Sequence, residues 1–98
     1  MGIPIATATF SICGQTFTVR DLTIRESERL DAKHPERDTP EKRKAFLYDL
    51  LALVVAGGDG SRLTAEEIQD GPAEFVTVAM VTLEDAKKKA YPQPVQSE

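Results

Sequence analysis

One segment carries two apolar rows at helical spacing, and it restricts the folds that the rest of the chain can adopt. It follows Thr39-Pro40-Glu41, which offers a capping hydroxyl, a proline suited to the first helical position and an acid at the positive end of the helix dipole. The rows are Phe46, Leu50, Leu53 and Leu47, Leu51, Val54. Together they form a stripe wider than a surface helix needs. We therefore predict a helix at the centre of the core, ending at the glycines of 57–60.

Two alternating β-branched runs near the N-terminus predict a β-hairpin. Residues 6–12 and 16–20 flank Cys13-Gly14-Gln15. Strand side chains repeat every two residues, so one face should carry four apolar side chains, Phe10, Ile12, Phe17 and Val19. A lone hairpin is only marginally stable, so this face must pack on another part of the chain.

Capping signals predict further helices. The Thr-x-x-Glu spacing occurs at 23–26 and at 64–67, where the two side chains of each motif can satisfy backbone N–H groups at a helix start. The first motif begins a charged surface helix from Ile24 to about Lys33. The second begins a short helix that Gly71-Pro72 interrupts.

A last helix is predicted from Pro72 to about Lys89, although the β-branched residues within 76–82 are also compatible with a strand. The segment is too long for an ordinary strand, and three lysines lie where a helix C-terminus favours positive charge. These two features favour the helix.

The predicted elements define a mainly α fold, with an N-terminal β-hairpin followed by three to four short helices packed around one core. With 98 residues, the chain is expected to form a single domain. We place that domain at 6–90, after a flexible N-terminus at 1–5. Two prolines and several polar residues predict a disordered tail at 91–98.

Composition restricts the expected location and partners. The net charge of -4 disfavours nucleic acid as a partner, since phosphate binding depends on Lys and Arg. The longest apolar stretch, 50–56, is far below the roughly 20 residues that cross a bilayer. Residues 1–5 lack the features of a signal peptide. We expect a cytoplasmic protein without a membrane partner, in which the balanced charges of 21–44, seven acidic and seven basic residues, support solubility.

The residue types that support catalysis or metal binding occur without suitable partners. His34, the only histidine, is interpreted as an exposed bystander, and Cys13, the only cysteine, as an unreactive thiol in a turn. Residues 57–61 lack the Gly-Lys-Ser/Thr of a phosphate-binding loop. If a calcium loop had Gly60 at its sixth position, Val55 and Gly57 would occupy the positions of the first two acidic ligands. We expect no enzymatic activity, no cofactor and no metal.

The predicted helices carry more large apolar side chains than a small fold can bury completely. Most of them should build the core, and a contiguous exposed remainder would mark a protein-binding patch. The candidates for that patch were chosen for their size and for lying at the edges of their stripes: Phe46, Leu47, Val76 and Met80.

Three stretches, in their order along the chain, resemble the tail assembly chaperones of siphophages. They are Phe-Thr-Val-Arg-Asp-Leu-Thr-Ile-Arg-Glu at 17–26, the Leu-rich run at 50–55 leading into Asp59-Gly60, and Leu-Thr-Ala-Glu-Glu-Ile at 63–68. The likeness extends from about Thr9 to Lys89. It implies a largely helical, self-associating protein that keeps the tape-measure protein soluble in the host cytoplasm. It also implies recruitment of tail tube protein, absence from the mature virion, and a longer product made by a frameshift near Lys87-Lys88-Lys89.

A second interpretation is a small phage or bacterial regulator that binds DNA or a transcription protein through its last two helices. Their helix-glycine-helix order is similar to a helix-turn-helix. Between Thr64 and Leu83, however, there are four acidic residues and no Lys or Arg, which disfavours docking into a DNA groove.

Overall fold

The computed structural model describes residues 2–91, in which strands both precede and interrupt the helices. The strands are β1 (Thr7–Ile12), β2 (Gln15–Arg20) and β3 (Val55–Gly57), and the helices are α1 (Ile24–Lys33), α2 (Pro40–Val54), α3 (Ala65–Gln69) and α4 (Ala73–Ala90). The strands form one antiparallel sheet in the order β1-β2-β3. The fold is therefore α+β, and the predicted mainly α fold is wrong.

The element that the prediction missed is β3. Helix α2 ends at Val54, and Val55 is already extended, with φ -107° and ψ 139°, so no loop separates helix from strand. Because the apolar run continues through this junction, helical periodicity alone gives no sign of it. In the sheet, Val55 lies opposite Val19 and is only 1% exposed. Burial of Val55 and its pairing with a β-branched residue favour the strand over another turn of helix.

The glycines at the end of β3 and in the loop that follows allow close approach of backbone segments. A Cβ atom on Gly58 would lie 3.0 Å from the carbonyl oxygen of Thr16, to which the Gly58 N–H donates at 2.9 Å. A Cβ atom on Gly57 would lie 2.7 Å from Ser61 Oγ. Of the glycines in this loop, only Gly60 has a positive φ, at 88°. The run predicted to stop the helix instead ends β3 at Gly57 and forms the turn that follows.

The predicted hairpin is confirmed. Strands β1 and β2 pair with Phe10 opposite Phe17, and a two-residue turn at Cys13-Gly14 joins them. Both turn residues have positive φ, 51° and 79°, as in a type I′ turn, whose twist matches that of the strands. Phe10, Phe17 and Val19 are buried as predicted, while Ile12 is half-buried.

The helices cover one face of the sheet. Phe75 of α4 packs edge-on against Phe10 and Phe17, with ring centroids 5.6 and 5.2 Å apart. These three aromatic residues belong to one buried cluster, whose other members are Val19, Leu51, Val54, Val55, Ile68, Ala79 and Leu83. The opposite face of the sheet carries exposed hydroxyl side chains, Thr7, Thr9, Ser11, Thr16 and Thr18. The molecule thus has two layers, with an apolar core between helices and sheet and a polar outer sheet face.

The predicted helix starts are confirmed at both capping boxes, where Thr23 pairs with Glu26 and Thr64 with Glu67. Residues 75–83 are helical, within α4, which settles the choice between helix and strand for this segment. Apart from Tyr91, the predicted tail at 91–98 lies outside the described residues. The Tyr91 hydroxyl accepts a hydrogen bond from the Ala6 N–H at 2.8 Å, so the end of α4 is joined to the start of the sheet.

Candidate functional site

Three of the four residues predicted to bind a partner pack against the buried core cluster. Leu47 of α2 and Val76 and Met80 of α4 are half-buried and pack against the core cluster. The i, i+4 spacing of Val76 and Met80 puts them on one side of α4, adjoining the buried row that includes Ala79. Each side chain is therefore held in place by the core on one side and keeps an exposed apolar surface that a partner could cover.

The fourth predicted residue, Phe46, lies in a different environment. The Arg37 guanidinium carbon is 4.3 Å from the centre of its ring, and the His34 ring packs edge-on with centroids 5.8 Å apart. A guanidinium over an aromatic face is a favourable contact that also covers the ring. Phe46 therefore anchors the connection between α1 and α2.

His34 has a structural partner, so its interpretation as an exposed bystander is wrong. Its side chain is 13% exposed, and Nε2 lies 2.6 Å from Asp49 Oδ2, an oxygen that Lys33 Nζ also approaches at 3.0 Å. Burial acts to raise the pKa of Asp49, but hydrogen bonds from His34 and Lys33 outweigh it and hold the pKa below its ordinary value. Across residues 2–91, Asp49 is the only hydrogen-bond partner of the His34 side chain. The pair joins the end of α1 to α2 without placing a nucleophile beside the imidazole.

Arg20 forms a junction that the sequence analysis did not identify. Its guanidinium makes two hydrogen bonds of 2.8 Å with the Glu26 carboxylate and donates to the Leu53 carbonyl oxygen at 3.2 Å. Helix α2 has no basic residue in its last turn, so Arg20 supplies a cation to the negative end of that helix. The hydrogen bonds from Arg20, with a smaller contribution from Thr23, outweigh burial and lower the pKa of Glu26 to about 2. Strand β2 is thereby joined to α1 and to the end of α2.

The cavities along the surface are open grooves. One, of about 200 Å³, lies beside the hairpin turn and is lined by apolar residues such as Ile12, Leu63 and Phe75. A larger one, of about 630 Å³, lies between β1 and α4 and is lined by Thr7, Thr9, Val81 and Thr82 among others. Over residues 2–91, no group of three or more His, Cys, Asp or Glu side chains is arranged to hold a metal ion. No helix in that range is both long and apolar enough to cross a membrane.

Comparison of the chain with protein-family models, curated proteins and solved structures finds no match in any of the three. Functional inference therefore depends on the surface geometry described above and on the resemblance in the sequence.

Proposed function

We propose that this chain binds other proteins without enzymatic activity, and that it is a tail assembly chaperone for a long-tailed phage. In this role it binds the tape-measure protein in the host cytoplasm and recruits tail tube protein during tail morphogenesis. The observation that carries the proposal is the apolar edge of α4 formed by Val76 and Met80, which packs on the core yet remains partly uncovered, as does Leu47 on α2. The resemblance across residues 9–89 supplies the identity of the partners.

Such an edge suits a helical partner. An amphipathic helix can lay its apolar stripe along Val76 and Met80, which are one helical turn apart. The edge is the part that would be dehydrated in the complex, so it should contribute most of the affinity.

Charged residues around the α1–α2 connection would keep the complex soluble. Lys42 Nζ lies 2.9 Å from Glu36 and 3.2 Å from Asp38, and Arg37 pairs with Asp31 at 3.4 Å. These pairs are exposed, so they add little stability but leave a hydrated surface without a large excess of one charge.

The test is co-expression with the tape-measure protein of the same genome, measuring how much of it stays soluble and co-purifies. Met80→Asp should lower the recovered tape-measure protein by about tenfold, because a carboxylate would be buried at the centre of the contact. Val76→Asp should act in the same direction.

Thr77→Asp provides the matched control, since Thr77 is exposed on the same helix next to Val76. Circular dichroism of each variant alone establishes that it folds. If the wild-type chain leaves the tape-measure protein insoluble, the proposed function is refuted. If Met80→Asp and Thr77→Asp have the same effect, the proposed binding face is refuted.

A further inference from the structure

Strand β1 lies at the edge of the sheet and has one open side. The sheet order places β1 beside β2 alone, and no other segment of residues 2–91 pairs with it. The opposite edge is covered, because the loop after β3 folds back. There the Gly57 N–H donates to the Ser61 carbonyl at 2.8 Å, and Ala56 forms a bridge with Arg62. The two edges of the sheet therefore differ in their availability to another strand.

The main-chain groups of Thr7, Thr9 and Ser11 point away from β2. The Thr16 carbonyl accepts a hydrogen bond from Gly58, on the β3 side, so Thr16 and its partner Ser11 do not exchange hydrogen bonds. Alternation along an antiparallel ladder gives Thr7 and Thr9 the same orientation. Three residues of β1 thus present N–H and C=O groups to an incoming strand.

This edge lacks the features that usually prevent strand addition. Proteins protect open edges with charged side chains, prolines or bulges. Strand β1 reads Thr-Ala-Thr-Phe-Ser-Ile, and its register with β2 runs without interruption from Thr7 to Ile12. A regular, uncharged edge is typical of a strand that pairs with another strand.

We propose that β1 pairs antiparallel with β1 of a second copy of this chain, about a twofold axis at Thr9. In this register Thr9 of one copy faces Thr9 of the other, and Thr7 faces Ser11. All outward main-chain groups then meet, forming about six hydrogen bonds and one continuous sheet. Because β1 carries no charge, pairing with itself creates no like-charge contact along the strand. The proposal does not rest on the chaperone function.

The groove beside β1 has a second wall that fits this arrangement. Thr7 and Thr9 line one side of it, and Val81 and Thr82 of α4 line the other. Val81 is 62% exposed, whereas most large apolar side chains of residues 2–91 are buried or half-buried. The twofold axis brings the α4 helices of the two copies alongside each other and covers Val81. The β-branched side chains of Val81 and Thr82 are compatible with the 8–10 Å separation of packed helices.

The charges at the ends of α4 favour a second copy as the occupant. Its first turn contains Glu74, and its last turn contains Lys87, Lys88 and Lys89. The twofold axis makes the two α4 helices antiparallel, so the acidic end of one approaches the basic end of the other. A pairing of one short strand and one helix flank is small, so we expect a weak dimer with a dissociation constant of the order of 10 µM.

The test is sedimentation velocity on the purified chain across concentrations from about 5 µM to about 500 µM, spanning that constant. The wild-type chain should shift from monomer to dimer. Thr9→Lys should raise the dissociation constant by at least about tenfold, because it places two lysines opposite each other at the axis. Thr18→Lys is the control: Thr18 is the exposed partner of Thr9 on β2, so the same charge on the same face lies one strand further from the axis.

Mixing Thr9→Lys with Thr9→Glu should restore association, since opposite charges then meet at the axis. Val81→Lys provides a second disruption outside the sheet, which is informative even if Thr9→Lys fails to fold. Hydrogen exchange at the amides of Thr7, Thr9 and Ser11 should slow as the dimer forms. The proposal would be overturned if the wild-type chain stays monomeric. It would also be overturned if the dimers of Thr9→Lys and Val81→Lys have the same dissociation constant as the dimer of Thr18→Lys.

Discussion

Replacing Arg20 with methionine tests whether the junction between β2, α1 and α2 stabilises the fold. Methionine keeps most of the apolar stem while removing the guanidinium, and with it the paired hydrogen bonds to Glu26 and the hydrogen bond to the Leu53 carbonyl. We expect the variant to fold into the same structure but to unfold at lower denaturant concentration.

The magnitude follows from the geometry of the pair. Lowering the pKa of Glu26 from 4.5 to about 2 corresponds to an upper limit of about 3 kcal/mol. Water still reaches the pair, since Arg20 is 29% and Glu26 18% exposed, and screening reduces this to about 1–2 kcal/mol. Loss of the cation at the end of α2 adds about 0.5 kcal/mol. Arg20→Met should therefore lower the free energy of unfolding by about 2 kcal/mol, which is about 8–16 °C in melting temperature for a domain of this size.

The assay is urea unfolding followed by circular dichroism, because the chain has no tryptophan to report by fluorescence. Arg25→Met is the matched control, since Arg25 is exposed in the first turn of α1 and should change stability by less than about 0.5 kcal/mol. The pH dependence gives an independent measure. Because the pKa of Glu26 is lowered in the folded state, its contribution is fully present above about pH 4.5 and is lost as the pH falls toward 2.

Glu26→Gln should reduce this loss of stability at acidic pH while keeping an amide oxygen as acceptor for the Thr23 N–H. Two results would refute the assignment of Arg20 as a stabilising junction. One is that Arg20→Met destabilises the chain no more than Arg25→Met, and the other is that Glu26→Gln leaves the loss of stability at acidic pH unchanged.

What the sequence predicted correctly depends on short-range signals. The two Thr-x-x-Glu motifs act within one helical turn, and the hairpin depends on alternation around Cys13-Gly14, so both could be identified from adjacent residues. Strand β3 could not be identified in this way. Val54 and Val55 are identical in type and adjacent, and what distinguishes Val55 is its pairing with Val19 in the sheet. Strand pairing between distant residues leaves no periodic signal in a three-residue strand.

The same limit explains the two missed side-chain junctions. Arg20 reaches Leu53 across 33 positions of sequence, and His34 reaches Asp49 across 15. Charged residues are frequent between 21 and 44, so the sequence alone does not indicate which of them find partners. For the binding face, size and stripe position identified half-buried residues such as Met80, but could not show that Arg37 covers Phe46.

Two further predictions concern stability. Gly58→Ala should lower the free energy of unfolding by about 1 kcal/mol in urea titrations, because the new Cβ atom would crowd the Thr16 carbonyl at 3.0 Å, and Gly2→Ala, with nothing within 4 Å, should have no effect. His34→Ala should raise the pKa of Asp49 toward its ordinary value in a carboxyl titration by NMR, since the lowering arises partly from that hydrogen bond. Because the lowered pKa of Asp49 contributes stability that is lost as the pH falls, this variant should also lose less stability on acidification, and an unchanged Asp49 titration would exclude the proposed linkage.

The residues that carry the resemblance and those proposed to bind are different residues. Within the stretch 17–26, Phe17 and Val19 are buried, and Arg20 with Glu26 forms the junction, so these positions are accounted for by folding. Variants in that stretch would therefore lose binding through loss of stability, and only the α4 edge can separate the two effects.

The two proposed surfaces are neighbours on α4. Met80 packs against the core cluster, Val81 and Thr82 line the groove beside β1, and Met80 and Val81 also share one shallow groove. If pairing through β1 and Val81 leaves Val76 and Met80 uncovered, a dimer presents two such edges related by a twofold axis. If both proposals hold, one dimer can contact two sites along a long helical partner, and its apparent affinity would then exceed that of the monomer by an amount set by the spacing of those sites. Thr9→Lys would in that case weaken binding to a long tape-measure segment while leaving binding to a segment with a single site unchanged, whereas Met80→Asp would weaken both.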